Sequence, residues 1–363
     1  MGGATMSQST TMRPVGPQRG RASVTPSLRP PQSWRQPDRH LENLIGSTWY
    51  AHVSRLFDTL NFATHVFFRS RGARFAPVPV TTGAISSPMG LGSDSEPVLA
   101  VIGGKPTFLA DSMQFMLELA ARIEGSPAYY VMPSFRGEEA DARHLNQFFH
   151  AEVEVLGGLK EVKTWGEGLV LALTRALLEE VPESVEAIAG TTAHLSELLD
   201  RGRPFPSISL DEAKIELQSV AGAFEPGTDE DPRITGLGER ELIRRFGDFV
   251  WLTGLPRRLV PFYQAIDPDR PTRALAADLL AGIGETLGCG QRAASAQDVE
   301  ANLEFCNVAP GSYDWYVAMK AQAPLATSGF GLGMERFLLW ATRTHDIRDW
   351  ALLIRDRHGQ GAP

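Results

Sequence analysis

Phe135-Arg136-Gly137-Glu138-Glu139, then Arg143-His144-Leu145-Asn146-Gln147-Phe148-Phe149, then Ala151-Glu152-Val153-Glu154-Val155 form the stretch that decides the fold. It reads as strand, charged loop, strand. Tyr129 to Phe135 is apolar and aromatic, the pattern of a buried strand. Gly137 to Arg143 is small and charged. Beyond it, Phe148, Glu152 and Glu154 alternate with Leu145, Phe149 and Val153. Side chains alternate across a strand, so one face is acidic with an aromatic ring and the other is apolar. Arginine, histidine and glutamate thus meet on one sheet surface. A lone Arg-x-Glu would be an ordinary surface hairpin with salt bridges.

A second stretch, Ser328-Gly329-Phe330-Gly331-Leu332-Gly333-Met334-Glu335-Arg336-Phe337-Leu338-Leu339, alternates glycine with apolar residues and then opens a helix. Glycines let a strand pass close to a ligand. Arg336, at the helix start, is free to lie on a base or to bind phosphate. A third stretch, Ala276 to Arg292, carries Asp278 and Glu285 in a glycine-rich setting that ends Gly290-Gln291-Arg292.

Together these resemble motifs 2 and 3 and the intervening acidic segment of the class II aminoacyl-tRNA synthetases, in their aspartyl and asparaginyl branch. The likeness runs from about Ile45 to Arg355. It implies an α+β fold: a six- or seven-stranded antiparallel sheet flanked by helices, in a homodimer. It also implies ATP and Mg²⁺ as cofactors. Arg136 and Arg336 are then the catalytic guanidinium groups, Arg136 on the α-phosphate. Glu138 accepts from the adenine amino group, Arg143 and His144 take the outer phosphates, and Phe148 stacks on adenine. Leu145, Gly331 and Gly333 line the nucleotide. Glu285, with Asp278 nearby, is the metal candidate, because hard oxygen ligands suit Mg²⁺. Ser112, Gln114, Gln147, Gln291, Arg292, Lys320 and Ser328 face the amino acid.

The remaining sequence sets bounds. The 363 residues carry 35 Lys+Arg against 43 Asp+Glu, a net charge of −8. Such a chain has no general grip on nucleic acid. Two cysteines, Cys289 and Cys306, exclude a disulfide framework beyond one pair and fit a reducing cytoplasm. No apolar run is long enough to span a membrane. Residues 1–43 are rich in Arg, Pro and Ser and read as a disordered tail; 44–363 read as the catalytic domain. The tail is too short and polar for the anticodon-binding domain that these synthetases carry there.

Leu44 to Arg71 has helical spacing, and the helix with the following Phe75–Thr82 strand resembles motif 1. Val98–Ile102 and Thr107–Ala110 make a hairpin about Gly103-Gly104-Lys105. Glu167–Glu180 and Glu183–Arg201 are helices divided by Pro182. Ile85–Pro97 and Ala221–Ile234 are loops.

Some positions depart from the family pattern. Gln147 stands where an acid is common, and Cys289-Gly290 replace glycine and serine. Lys320-Ala321 fall where an arginine reads the substrate, and a lysine cannot supply a bidentate fork. These changes favour an ATP-dependent ligase that adenylates an aspartate- or asparagine-like carboxylate and passes it to ammonia or another small amine, in secondary metabolism. In that it is similar to the asparagine synthetase A-type ligases. The alternatives are a truncated synthetase charging tRNA, the disfavoured acceptor, and a non-catalytic paralogue with a binding role.

Overall fold

The computed structural model describes residues 28–87, 95–225, 233–356 and 359–360. Residues 1–27 of the expected tail, and parts of the loops expected at 85–97 and 221–234, lie outside the described residues.

Eight strands form one sheet in the order Arg74–Phe75, Ala128–Phe135, Gln147–Leu156, Thr327–Gly333, Gly284–Gln291, Ala276–Ala281, Phe249–Thr253, Ser207–Ser209. The inner pairs are antiparallel, and each outer pair is parallel. The sheet is therefore wider than the six or seven antiparallel strands anticipated. Its two edge strands are two and three residues long, too short to show alternation. Arg74–Phe75 reaches its neighbour through short strands and the helix Gln114–Glu124, and Ser207–Ser209 through two helices; such a crossover connection makes a parallel pair.

One face of the sheet is sealed by the helices Thr48–Ser70, Leu159–Glu180 and Met334–Thr342. Their apolar stripes meet Val153 and Val155, Leu287 and Cys289, and Phe330 and Leu332, one parity of each strand. The other parity faces away from this core. The core thus fixes the strand register, because a one-residue slip would exchange the two faces.

Local chemistry sets the helix ends. The expected 44–71 helix is broken at Ser47, whose hydroxyl accepts from Trp49 N at 3.2 Å and starts Thr48–Ser70. The run expected at 183–201 divides at Gly190, which has φ 75°. An earlier start at Leu159 comes from Glu161, whose carboxylate accepts from Gly158 N at 3.0 Å. The hairpin Val98–Ile102 and Lys105–Leu109 turns at Gly103-Gly104.

Residues 28–43 are folded, contrary to the disordered tail read there. Short helical turns at Ser33–Arg35 and Pro37–Arg39 lead into the helix His40–Gly46, so a domain boundary at 44 would cut a helix. Composition missed this because a few residues do the anchoring. Ser33 and His40 are buried, and Leu28 packs on the main core.

Glu335, 4% exposed, begins the Met334–Thr342 helix, and both its oxygens stand 3.0 Å from the donating Phe149 N–H. Burial pushes its carboxyl up to about 7. The folded value lies above the unfolded one, so the native chain binds the extra proton between them. Stability from this group is complete at low pH and is lost as pH rises through 7. Glu335→Gln should therefore gain on the wild type between pH 5 and 8, by up to about 3 kcal/mol, in urea titrations at the two pH values.

Candidate active site

The face turned away from the core is built by strand register. Glu152, Gly331, Gly288 and Asp278 lie in one cross-strand row, and Glu154, Gly329, Gly290 and Ala276 in the next. Glycines floor the middle while acids stand at the sides. At Gly329 an added Cβ would lie 2.1 Å from Glu154 Oε2 and 2.4 Å from Arg292 Nη2, so only a bare backbone passes beneath that ion pair.

Two cavities open on this floor. The first is lined by Arg136, Arg143, His144, Leu145, Phe148, Gly333 and Arg336, among others. The second is lined by Ser112, Gln114, Glu152, Gln264, Asp278 and Arg292, among others. Arg136, His150, Glu285, Gly288 and Gly331 line both, so the two are lobes of one cleft. Arg136 and Arg336, 200 residues apart in sequence, thus share a cavity.

In the first lobe, Arg336 Nη1 donates to Glu285 O at 2.5 Å and Nη2 to Arg143 O at 3.3 Å. Arg143 Nη2 meets Glu239 Oε2 at 2.5 Å. Arg136 Cζ lies 5.6 Å from the centre of the Phe148 ring. Burial and the Arg336 charge lower the His144 pKa, although Asp141 opposes them. Glu138 sits at the rim, where Oε2 accepts from Glu96 N at 3.2 Å; it lines neither lobe.

The second lobe is acidic and hydrogen-bonded. Glu152 receives Ser112 Oγ at 2.6 Å and faces His150 Nδ1 at 3.0 Å. Burial alone would raise its carboxyl, but the bonds to His150 and Ser112 bring it below the ordinary range. Arg292 lies side-on against Glu154, with Nε and Nη2 at 3.0–3.2 Å. Its Nη1 reaches Gln264 Oε1 at 3.4 Å. Asp111 accepts from Ser86 N, Ser86 Oγ and Ser87 N, which fixes the segment over this lobe.

Asp278 and Glu285 meet at the lobe junction. The ladder between Gly284–Gln291 and Ala276–Ala281 slips at Glu285/Leu287, and this irregularity turns Glu285 onto the glycine face against strict alternation. An added Cβ at Gly288 would lie 2.8 Å from Glu285 Oε1 and 3.7 Å from Asp278 Oδ1. Burial, then the charges of Glu285 and Glu239, raise the Asp278 carboxyl well above its ordinary range. Among the described residues no group of three or more His, Cys, Asp or Glu is arranged as a protein cage for a metal. Two clustered carboxyl groups suit Mg²⁺, which usually takes one or two plus substrate phosphate. Gly288→Ala should push Glu285 aside and raise the Mg²⁺ concentration for half-maximal ATP-dependent pyrophosphate exchange several-fold, with little change in thermal unfolding.

Four residues expected on the amino acid lie elsewhere. Gln147 is exposed on the other face of its strand, where it lines a groove with Phe57, Phe149 and Trp350. Gln291 and Ser328 pair across strands on the core face; Ser328 Oγ donates to Gly158 O at 2.9 Å, and an added Cβ at Gly158 would lie 2.8 Å from Gln291 Oε1. Lys320 lies behind the lobe, 1% exposed, with Nζ on Glu118 Oε2 at 2.5 Å. Alternation decides the first three, and the Glu118 carboxylate draws Lys320 away from the lobe. Sequence reading missed His150, Gln264, Glu239 and Glu118. His150 was within reach, since it shares the parity of Phe148 and Glu152.

This constellation defines a two-lobed cleft, one lobe rich in guanidinium groups and the other in carboxyls, on a glycine-floored antiparallel sheet. The family model for tRNA synthetases class II (D, K and N) matches residues 88–357, and the chain belongs to this family. An asparagine–tRNA ligase of Pyrococcus abyssi is 33% identical over 254 residues, 69% of this chain and 56% of the relative. One from Koribacter versatilis is 28% identical over 326 residues, 88% of this chain and 71% of the relative. The chain thus spans little more than half the length of several curated relatives that it matches. The asparaginyl-tRNA synthetase of Pyrococcus horikoshii complexed with asparaginyl-adenylate superposes with a TM-score of 0.78 at 27% identity, covering 87% of this chain and 70% of that one. An aspartyl-tRNA synthetase from Entamoeba histolytica shares the fold, with a TM-score of 0.73 at 19% identity.

Proposed function

We propose that this chain is an ATP-dependent ligase that activates an amino acid as its acyl-adenylate. The observation that carries the reading is the seam between the lobes. A guanidinium-lined lobe and an acid-lined lobe share Arg136, so a carboxylate from one meets an α-phosphate in the other.

Ser112, Gln114 and Glu152 would hold the α-ammonium, while Arg292, held from behind by Glu154, and Gln264 would face the side chain. Phe148 would stack on adenine; Arg336, Arg143 and His144 would bind the outer phosphates. The carboxylate oxygen attacks the α-phosphorus, the bond to the bridging β-phosphate oxygen breaks, and pyrophosphate leaves with that electron pair. No proton transfer is required. Arg136 neutralises charge that grows on the α-phosphate, and fixed lobes supply proximity. Asp278 and Glu285 would hold Mg²⁺, which supplies charge neutralisation on the phosphates.

For the acceptor, the relatives named as asparagine–tRNA ligases favour tRNA, which reverses the order expected from sequence. A second reading, ammonia or a small amine, is favoured by the net charge of −8. Exposed Phe62, Val66 and Phe75 support a homodimer through the long helix and first strand. Incubation with ATP, Mg²⁺ and each amino acid, with tRNA or with ammonia, decides the acceptor. Aminoacylated tRNA supports the first reading, and an amide product the second. Absence of AMP in every mixture overturns the proposal and returns the chain to a binding role.

A further inference from the structure

Residues 28–46 precede the family-matched region, yet they clasp the turn Ile347–Trp350. Two guanidinium groups lie over the Trp34 ring, with Arg35 Cζ 4.4 Å and Arg348 Cζ 3.6 Å from its centre. Its Nε1 donates to Asp349 Oδ1 at 2.8 Å. Trp49 Nε1 donates to Asp349 O, and His40 Nε2 bonds Leu352 O, both at 2.9 Å.

The clasped turn reaches the nucleotide lobe by two routes. Ile347 lines that lobe, and its N–H donates to Ala142 O at 3.0 Å. Arg348 is fixed side-on by Asp346, with Nε at 2.9 Å and Nη2 at 2.6 Å, and it feels the charge of Asp141. Asp141 Oδ1 in turn accepts from Arg143 N at 2.7 Å and His144 N at 2.8 Å, and meets His144 Nδ1 at 2.9 Å. One carboxylate therefore shapes the backbone that presents Arg143 and His144.

We infer that Trp34 is a positioning residue for the nucleotide lobe: stacked on Arg348 and bonded to Asp349, it holds the turn that orders the Asp141–His144 loop. Its link to ATP rests on the proposed function; its link to the loop does not. The segment thus ties the N-terminal side of the chain to the phosphate-binding loop.

Hydrogen exchange of the nucleotide-free protein tests the loop link. In Trp34→Ala, peptides covering 137–147 should exchange roughly five- to tenfold faster, the scale of one lost cation–π contact. Trp34→Phe keeps a stacking ring without the N–H donor and should fall between; it carries the test if the alanine variant does not fold. Peptides from the Ala276–Ala281 and Gly284–Gln291 strands should be unchanged. Unchanged exchange at 137–147, or equal acceleration everywhere, overturns the inference. Calorimetric titration with MgATP follows. Binding to the wild type tests the nucleotide reading on its own. A Kd raised about five- to tenfold in Trp34→Ala supports the inference, and an equal Kd overturns its nucleotide part. If the wild type binds no ATP, the functional reading falls while the exchange data still decide the loop link.

Discussion

Arg136→Ala should lower amino-acid-dependent ATP–pyrophosphate exchange by roughly 10²–10³-fold, the cost of removing one preorganised donor from a reacting centre. Arg136 stands where the two lobes join. Its Nε is buried without a hydrogen-bond partner, and Nη1 is 3.9 Å from Glu138 Oε1, beyond a hydrogen bond. The Phe148 ring beneath steadies the group without engaging its N–H donors. Such a guanidinium is positioned but not consumed. The charge it meets grows during attack at phosphorus, so kcat should fall more than KM for ATP rises. Arg136→Lys keeps the charge and loses the fork, so it should fall between. Exchange within a few-fold of wild type in Arg136→Ala would contradict this role.

Lys320→Met should cost about 3–5 kcal/mol of stability, the range for removing one partner of a buried ion pair. Both side chains of the Lys320–Glu118 pair have zero exposure. Tyr316 OH also donates to Glu118, at 2.7 Å, and Arg122 Nη1 stands 3.5 Å away. These contacts remain in the variant, but the ammonium does not, and the Glu118 carboxylate stays buried. Glu118 also acts on the Glu154–Arg292 pair, whose arginine lines the second lobe. Urea unfolding measures the loss. Exchanging both partners, as Lys320→Met with Glu118→Leu, should recover part of it, because the buried carboxylate is gone and Arg122 keeps its bonds to the Glu118, Ala323 and Leu325 carbonyls. A single-variant loss below about 1 kcal/mol would contradict the picture of a sealed pair.

Much of the site can be read from local pattern. Alternation along Gln147–Leu156 places Phe148, Glu152 and Glu154 on one face, and it would also have placed His150 there and Gln147 on the other. The same parity separates Arg292 from Gln291. Other features depend on partners distant in sequence. Strict alternation sends Glu285 to the core; a slip in a ladder with another strand turns it out. Lys320 reads as a pocket residue until Glu118, 202 positions earlier, is seen to hold it. Trp34 sits in a stretch whose composition signals disorder, and its anchors lie 314 and 315 positions away. The edge strands are fixed by helices that bring them alongside, not by their own few residues.

The central claim is that nucleotide and amino acid occupy adjoining lobes and react at Arg136. ATP–pyrophosphate exchange tests it most directly, with Mg²⁺, each amino acid in turn and no acyl acceptor. The account predicts exchange that depends on a particular amino acid and is lost in Arg136→Ala. Folded wild-type protein that shows no exchange with any amino acid, or exchange indifferent to which one is present, would contradict it.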